Sequence, residues 1–165
     1  RQRQMCIRDR VPCNYNRLPG GGKRYVEMDW EPLYPFGYGL TYTTFSYSGL
    51  EVSDTDWTAE QIENGKTVKV SFTVTNTGNA AGEETAQLYV RDCCASTVKP
   101  MRELAGFEKV ALAPGASRRV TFELGNRQLR TLNSRYEWHV EPGAFEVMAA
   151  DNAANVLLKE GFTIR

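Results

Sequence analysis

The feature that most constrains this chain is a strict alternation of apolar and polar residues across positions 67–75. A period of two places successive side chains on opposite faces of a β-strand. The apolar members of the run are Val68, Val70, Phe72 and Val74. We therefore predict a strand here, with one face buried in a core and the other face polar.

Similar runs recur downstream and are separated by turn-forming residues at 75–82, 113–116 and 141–143. Their apolar positions are Ala86, Leu88 and Val90, then Val120, Phe122 and Leu124, then Tyr136, Trp138 and Val140, and finally Phe145, Val147 and Ala149. We expect each set to face the core and the residues between them to face outward.

Two further runs change parity partway, which predicts β-bulges marked by glycine. In the first, Phe45 and Tyr47 give way to Leu50 and Val52 across Ser48-Gly49. In the second, Leu104 gives way to Phe107, Val110 and Leu112 near Gly106.

These runs amount to about seven or eight short strands, and no helical-period segment between them is long enough for a βαβ crossover. The sequence therefore predicts an all-β fold over residues 43–165, a two-sheet antiparallel β-sandwich that is fibronectin type III-like (immunoglobulin-like). The Cys…Trp…Cys spacing of true immunoglobulin domains is missing, which favours the fibronectin type III-like form.

The N-terminal part differs from the rest. Residues 1–10 are arginine-rich and show neither a period nor turn chemistry, so we expect them to be non-native or disordered. Residues 11–42 contain prolines and glycines with the aromatic residues Tyr34, Phe36 and Tyr38 between them. This composition predicts an irregular connector that lies on another surface.

Composition excludes several classes of function. The chain carries 20 Lys plus Arg and 20 Asp plus Glu, so it offers no net field to a nucleic acid or an anionic membrane. The single histidine, His139, rules out paired-histidine metal sites. The four cysteines, at positions 6, 13, 93 and 94, have no CxxC spacing. We expect no metal and no cofactor, and we interpret Cys93 and Cys94 as reduced thiols in a loop.

Several patterns resemble parts of functional sites, and each has a simpler structural interpretation. The glycine run 20–22 followed by Lys23 fails the phosphate-loop pattern at Arg17 and Arg24, so we interpret it as a flexible turn. No serine or cysteine can be assigned to His139 as a nucleophile, and its position in the alternation points it away from the core.

Three more residues complete the set of candidates. We interpret Glu83-Glu84 as a solvated pair rather than a dyad that shares a proton. We expect Tyr89 to lie on the outer face of its strand and to cover the stem of a lysine or arginine, with stacking on a sugar as the alternative.

Six segments together resemble one family. They read PLYPFGYGLTYTTF at 32–45, VTNTG at 74–78, AQLYVRD at 86–92, KPMRELAGFEKVALAPG at 99–115, VTFEL at 120–124 and VEPGAFEV at 140–147. In order and spacing they resemble the C-terminal end of family-three glycoside hydrolases, the β-glucosidases and β-xylosidases in which a fibronectin type III-like domain follows the catalytic domains.

This resemblance implies a function for the chain. The nucleophilic aspartate and the acid/base carboxylate of the family would precede residue 11, and both Asp29-Trp30 and Asp56-Trp57 lack the serine of the nucleophile motif. We therefore expect no catalytic residue and no assigned substrate-binding residue here. The chain would be a non-catalytic C-terminal domain that braces the upstream catalytic domains of the same protein.

The resemblance also implies properties of the parent enzyme. It would hydrolyse O-glycosyl bonds with retention and without a metal, releasing terminal β-linked glucose or xylose. It would be periplasmic or secreted, and oligosaccharide would contact this chain only through the parent.

Two alternatives to this interpretation stay open. An autonomous carbohydrate-binding or adhesion module predicts a row of exposed coplanar aromatic rings and a loose polar connector. A stand-alone enzyme is disfavoured by the single histidine and by the lack of a convergent nucleophile and base.

Overall fold

Alternating apolar residues build a two-sheet sandwich in the computed structural model, which describes residues 15–16, 18–19, 31–53 and 57–165. Over these residues the chain forms nine strands and two short helices. They are β1 (Phe45–Val52), α1 (Ala59–Glu63), β2 (Val68–Asn76), β3 (Gly82–Asp92), β4 (Glu103–Leu112), β5 (Ser117–Leu124), α2 (Asn126–Leu129), β6 (Thr131–Leu132), β7 (Trp138–His139), β8 (Gly143–Ala150) and β9 (Val156–Ile164).

The strands form two main sheets that pack face to face. One has the order β1-β2-β5 and the other the order β4-β3-β8-β9, with every neighbouring pair antiparallel. The pair β6-β7 forms a separate small hairpin. The predicted all-β fold, a two-sheet antiparallel sandwich, is confirmed.

The core follows the predicted alternation of β2. Positions 68, 70, 72 and 74 are buried and the residues between them are exposed or half-buried. The Phe72 ring lies between the rings of Tyr47 and Phe122, at centroid distances of 5.6 and 5.9 Å. Val110 and Val147 of the facing sheet belong to the same buried cluster.

Both predicted bulges are present. The β1-β2 register shifts between Ser48 and Glu51, where Gly49 has a φ of 62° that favours glycine. In β4 the pairing moves from Leu104 to Gly106 across adjacent residues of β3, which leaves Ala105 as the extra residue.

The segment around Tyr136 corrects the sequence prediction. Tyr136 and Trp138 do not face the core, because their exposed fractions are 84% and 58%. The backbone N–H groups of Arg135 and Glu137 donate to the side-chain oxygen of Asn133 and close a tight turn. This turn shortens the predicted strand to β7, so that only Val140 of the three apolar positions is buried.

The position of Tyr89 is a second correction. The sequence predicts an outward ring, whereas Tyr89 has no exposed surface. It belongs to a second apolar cluster on the outer face of the four-stranded sheet, with Met148, Ala150 and Ala153. The strand β3 is therefore buried on both faces through its second half.

Several sequence predictions lie outside the described residues. These concern residues 1–10, Cys6, Cys13, Arg17, the run 20–22 with Lys23 and Arg24, Asp29-Trp30 and Asp56. Within the described part of the predicted connector, residues 31–42 form neither helix nor strand. No helix of the described residues has the length and apolarity needed to cross a bilayer.

Candidate functional site

Part of the connector packs on the outer face of the four-stranded sheet. The ring of Phe36 stacks on the ring of Tyr15 at a centroid distance of 4.5 Å, and Tyr15 meets Tyr89 edge-on at 5.9 Å. The backbone N–H of Ala153, in the loop between β8 and β9, donates to the carbonyl oxygen of Phe36 over 2.8 Å. These contacts bury Tyr89, and burial raises the pKa of its hydroxyl to about 12.

Gln87 joins the connector to the centre of the sheet. Its Nε2 donates to the carbonyl oxygens of Gly37 and Asp151, at 3.2 and 2.6 Å, and its Oε1 accepts from the Tyr89 hydroxyl at 2.6 Å. Gly37 has a φ of 80°, and a β-carbon there would collide with the Gln87 amide. The close approach therefore requires glycine at position 37.

Asn76 anchors the C-terminal end of the connector. Its Oδ1 accepts from the Thr43 hydroxyl at 2.7 Å, and its Nδ2 donates to the carbonyl oxygens of Ala80 and Leu112 at 2.9 and 3.0 Å. Asn76 is fully buried, so these bonds satisfy a polar group that would otherwise be costly.

On both sides of Gly37 the connector presents apolar side chains to solvent. Tyr42 is fully exposed and Leu40 is 88% exposed. We call this surface the connector face; it comprises Leu33, Tyr34, Tyr38, Leu40 and Tyr42. The rings of Tyr34 and Tyr38 lie 5.3 Å apart. Adjacent exposed apolar groups of this kind mark interaction sites in soluble proteins.

A groove of about 640 Å³ runs beside the connector face. Residues 37–42, the starts of β1 and β3, the loop after β8 and Leu157 line it. Glu83 and Lys109 also line the groove and pair with each other, which leaves the carboxylates of Glu84 and Asp151. Among the described residues, no lysine or arginine lies within 4.0 Å of either carboxylate. The groove therefore carries negative charge that no side chain described in the structure balances.

Glu84 is held by a hydrogen bond across the two sheets. The Tyr47 hydroxyl donates to Glu84 Oε1 over 2.9 Å. Burial raises the pKa of Glu84, the hydrogen bond from Tyr47 opposes that rise, and the charge of Asp151 adds to it. Burial and the neighbouring carboxylates also raise the pKa of Tyr47, so its hydroxyl stays a donor.

The prediction of a solvated Glu83-Glu84 pair is wrong for Glu84. Glu83 is exposed and pairs with Lys109, whereas Glu84 is half-buried against Tyr47. The two carboxylates project from opposite faces of β3, as successive strand residues must. They therefore cannot share a proton.

His139 belongs to a network at the opposite end of the sandwich. Its Nε2 lies 2.9 Å from Glu141 Oε1, and Ser96 donates to the same carboxylate from its backbone N–H and its hydroxyl. Although burial raises the pKa of Glu141, the bonds from Ser96 and His139 hold it below its ordinary value. Both the serine and the imidazole bind the Glu141 carboxylate, whereas in a nucleophilic triad the serine hydroxyl donates to the imidazole, so the arrangement is not such a triad.

The remaining candidates have structural surroundings. Cys93 and Cys94 are exposed free thiols in the loop after β3, and burial raises the pKa of Cys93, which disfavours the reactive thiolate. Trp57 pairs with Ile164 through an isolated bridge. Within the described residues no three His, Cys, Asp or Glu side chains come close enough to hold a metal ion.

Gln87 and Asn76 were not among the residues singled out from the sequence. Asn76 carries a signal in retrospect, because it continues the buried parity of positions 68–74 with a polar side chain. Gln87 carries no such signal, since a glutamine at an outward strand position is ordinary.

Comparison with known proteins places this fold in a family. Residues 84–153 match the family model of the fibronectin type III-like domain, so the chain contains such a domain. It is 40% identical over 160 residues to a beta-xylosidase of Formosa agariphila, and the match covers 94% of this chain and 21% of that protein. It is 38% identical over 133 residues to the periplasmic beta-glucosidase of Salmonella typhimurium, and this match covers 81% of this chain and 17% of that protein.

A solved structure gives the same result. The β-glucosidase EmGH1 of Erythrobacter marinus superposes with a TM-score of 0.83 at 36% identity, over 92% of this chain and 19% of that one. The chain belongs with the fibronectin type III-like domains of family-three β-glucosidases and β-xylosidases, which confirms the resemblance seen in the sequence. It spans about a fifth of the length of the relatives compared here.

Proposed function

We propose that this chain is the non-catalytic C-terminal domain of a β-glycosidase and that it braces the upstream catalytic domains through the connector face. The observation that carries the proposal is that hydrogen bonds from the domain hold the connector in place while its apolar side chains remain exposed to solvent. Gln87 fixes the connector at Gly37 and Asn76 fixes the chain at Thr43, while Leu40 and Tyr42 between these two points contact little of this chain.

Anchoring matters for the energetics of docking. A loose segment would lose conformational entropy when it orders against a partner. Here the hydrogen bonds to Gly37 and Thr43 have already ordered the segment. The exposed side chains are thus presented in a conformation that a partner surface can bind without ordering them first.

The missing partner is part of the same protein in this proposal. About four-fifths of the length of each relative lies outside the match to this chain. The connector is the segment expected to join the domain to that sequence. The groove also favours the upstream domains as the partner, because a lysine or arginine from them would balance the charges of Glu84 and Asp151.

The names of the relatives support a proposal for the chemistry of the parent. We propose that it hydrolyses O-glycosyl bonds and releases terminal β-linked glucose or xylose, with the catalytic carboxylates supplied upstream. We place it in the periplasm or outside the cell, in line with the name of the Salmonella relative. The alternative, an autonomous carbohydrate-binding or adhesion module, would leave the connector face without a partner.

A chimera tests the bracing role. In the Formosa β-xylosidase, the matched region is replaced by residues 11–165 of this chain, and the half-life of xylosidase activity is measured at elevated temperature. We expect Leu40→Asp with Tyr42→Asp to shorten the half-life, since two carboxylates would be buried at the contact. Val98→Asp is the control, because Val98 is exposed in the loop after β3, at the other end of the sandwich.

Equal half-lives for the double variant and the control would overturn the proposed role of the connector face. A second pair of variants, Glu84→Gln and Asp151→Asn, tests the groove. If a cation of the catalytic domains enters it, each variant should shorten the half-life of the chimera without lowering the unfolding midpoint of the isolated chain.

A further inference from the structure

The hairpin 131–139 lies at the end of the sandwich opposite the connector. Strand β3 begins at Gly82, beside the connector, and ends at Asp92, which pairs with Phe145 near the start of β8. The hairpin leads into that same start of β8. It therefore lies far from the connector face, and the proposed docking leaves it uncovered.

Tyr136 adopts an unusual backbone conformation in this hairpin. Its φ is 63°, and it is the one described residue other than glycine with a positive φ. The hydrogen bonds to Asn133 hold it there, because the Tyr136 N–H donates to the Asn133 carbonyl over 3.0 Å and the flanking N–H groups bind the Asn133 side chain. A β-carbon in this region is strained, and glycine would adopt the same turn without strain.

The packing of the Tyr136 ring within this chain does not offset the backbone strain. The Tyr136 side chain is among the most exposed apolar groups described, so its ring stabilises no core. Strained residues that a structure holds firmly concentrate at functional sites. A tyrosine kept where glycine would fit better therefore indicates a contact made by the ring outside the chain.

Trp138, two residues after Tyr136 and in strand β7, supplies a second exposed ring. The Arg130 guanidinium lies over one face of the indole, 4.4 Å from its centroid, and more than half of the side chain remains exposed. Lys99 fixes the base of this stack, because its Nζ donates to the Arg130 carbonyl over 2.8 Å and pairs with Asp92. The indole is thus held rigidly with surface still open.

We propose that Tyr136 and Trp138 form a stacking platform for a β-linked gluco- or xylo-oligosaccharide. Pyranoses whose hydroxyls are all equatorial present a flat C–H face that packs on an aromatic ring. Their hydroxyl rims need polar partners, which Arg135 and Glu137 supply in exposed positions beside the rings. The exposure of both rings and the strained backbone of Tyr136 support the platform, and the choice of sugar rests on the proposed function of the parent.

A protein partner fits this surface less well. Hot spots between proteins lie in desolvated pockets enclosed by other contacts. The two rings here have exposed charged neighbours in Arg135 and Glu137. This setting suits a ligand that stays hydrated at its edges.

The test is an NMR titration of the full 165-residue chain with xylotetraose and, separately, cellotetraose. At about 10 mM sugar, a concentration that reveals millimolar affinity, we expect shifts of the Trp138 indole N–H and of amides in 133–139. Trp138→Ala and Tyr136→Gly should each weaken binding about tenfold, which is the loss of one good contact. Trp138→Phe should retain part of the affinity, and Phe107→Ala, which removes an exposed ring on β4, should bind like the wild type.

Tyr136→Gly separates a binding role from a structural one. Because glycine relieves the strain at this φ, we expect the unfolding midpoint of this variant to equal or exceed that of the wild type while its affinity falls. The proposal is overturned if neither sugar shifts the hairpin, if both variants bind like the wild type, or if Tyr136→Gly unfolds earlier. These outcomes do not involve the connector face, so failure here leaves the docking proposal standing, and the reverse also holds.

Discussion

Gln87 donates its side-chain amide to the carbonyl oxygen of Gly37, and this 3.2 Å bond joins the centre of a sheet to the connector. The same side chain accepts from Tyr89 and donates to Asp151. One buried glutamine therefore holds three segments that are distant in sequence. The position of the connector face depends on it.

Gln87→Glu should destabilise the chain by about 1–3 kcal/mol at neutral pH, because a carboxylate cannot donate to the two carbonyl oxygens. Tyr89→Phe removes only the hydroxyl that Gln87 accepts from, so its cost should be smaller. Urea denaturation of both variants gives the comparison. Since a protonated glutamic acid can donate once, Gln87→Glu should recover part of the loss as the pH falls. A Gln87→Glu variant as stable as Tyr89→Phe at neutral pH would contradict the role given to Gln87.

Gly37→Ala should destabilise the chain by about 1–3 kcal/mol, since alanine is strained at a positive φ and its β-carbon would displace the Gln87 amide. Gly39 is the matched control, because a β-carbon there meets no atom within 4 Å. Thermal unfolding of Gly37→Ala and Gly39→Ala should differ clearly. If both variants unfold at the wild-type temperature, the bond between Gln87 and the connector contributes nothing to stability.

Phe72→Ala should cost about 3–5 kcal/mol, because it removes a fully buried ring that stacks between Tyr47 and Phe122. Thr73→Ala, on the opposite face of β2, should cost less than about 1 kcal/mol. Chemical denaturation of the two variants measures the difference. Equal midpoints would mean that the inward face of β2 is misassigned.

Glu84 should make the isolated chain less stable as the pH rises. Burial raises its pKa in the folded state above the unfolded value near 4.5, so the folded chain binds the proton more tightly. This contribution is fully present below the unfolded pKa and is lost as the pH rises through the folded pKa. In Glu84→Gln that loss should disappear, while the amide oxygen still accepts from Tyr47.

The measurement is the free energy of unfolding from pH 3 to pH 7 for the wild type and Glu84→Gln. We expect the difference between the two to shift in favour of the variant as the pH rises. Glu83→Gln, at the exposed neighbouring carboxylate, is the control for the substitution itself. A constant difference for Glu84→Gln would contradict the pKa shift assigned to Glu84.

The sequence predicts the sandwich and its bulges because local periodicity determines both. The burial of Phe72 and the bulge at Gly49 can each be predicted from the few residues on either side. Tyr89 could not be predicted, since it is covered by Tyr15 and by residues near 153 that are far away in the chain. The alternation of the sequence predicts an inward Trp138, but the Asn133 side chain binds the backbone N–H groups of Arg135 and Glu137 and closes a turn. The alternation does not reveal this turn, which changes the path of the backbone.

One part of the candidate site could be predicted from the sequence and another part could not. Exposure of the connector rings follows from the prolines and glycines around them, which prevent a regular strand. The groove does not follow from the sequence, because it forms where Tyr47 of one sheet meets Glu84 of the other. Contacts between sheets depend on how the two layers stack, and no local pattern contains that information.

Amide hydrogen exchange of residues 31–42 tests the central claim most directly. It is measured by mass spectrometry on the isolated chain and on the active chimera with the Formosa catalytic domains. We predict that amides near Leu33, Leu40 and Tyr42 exchange quickly in the isolated chain, while those of β2 and β3 are protected. In the chimera the same connector amides should exchange at least about tenfold more slowly, as expected for a segment covered by a partner. Unchanged exchange of residues 31–42 in an active chimera would contradict docking through the connector face.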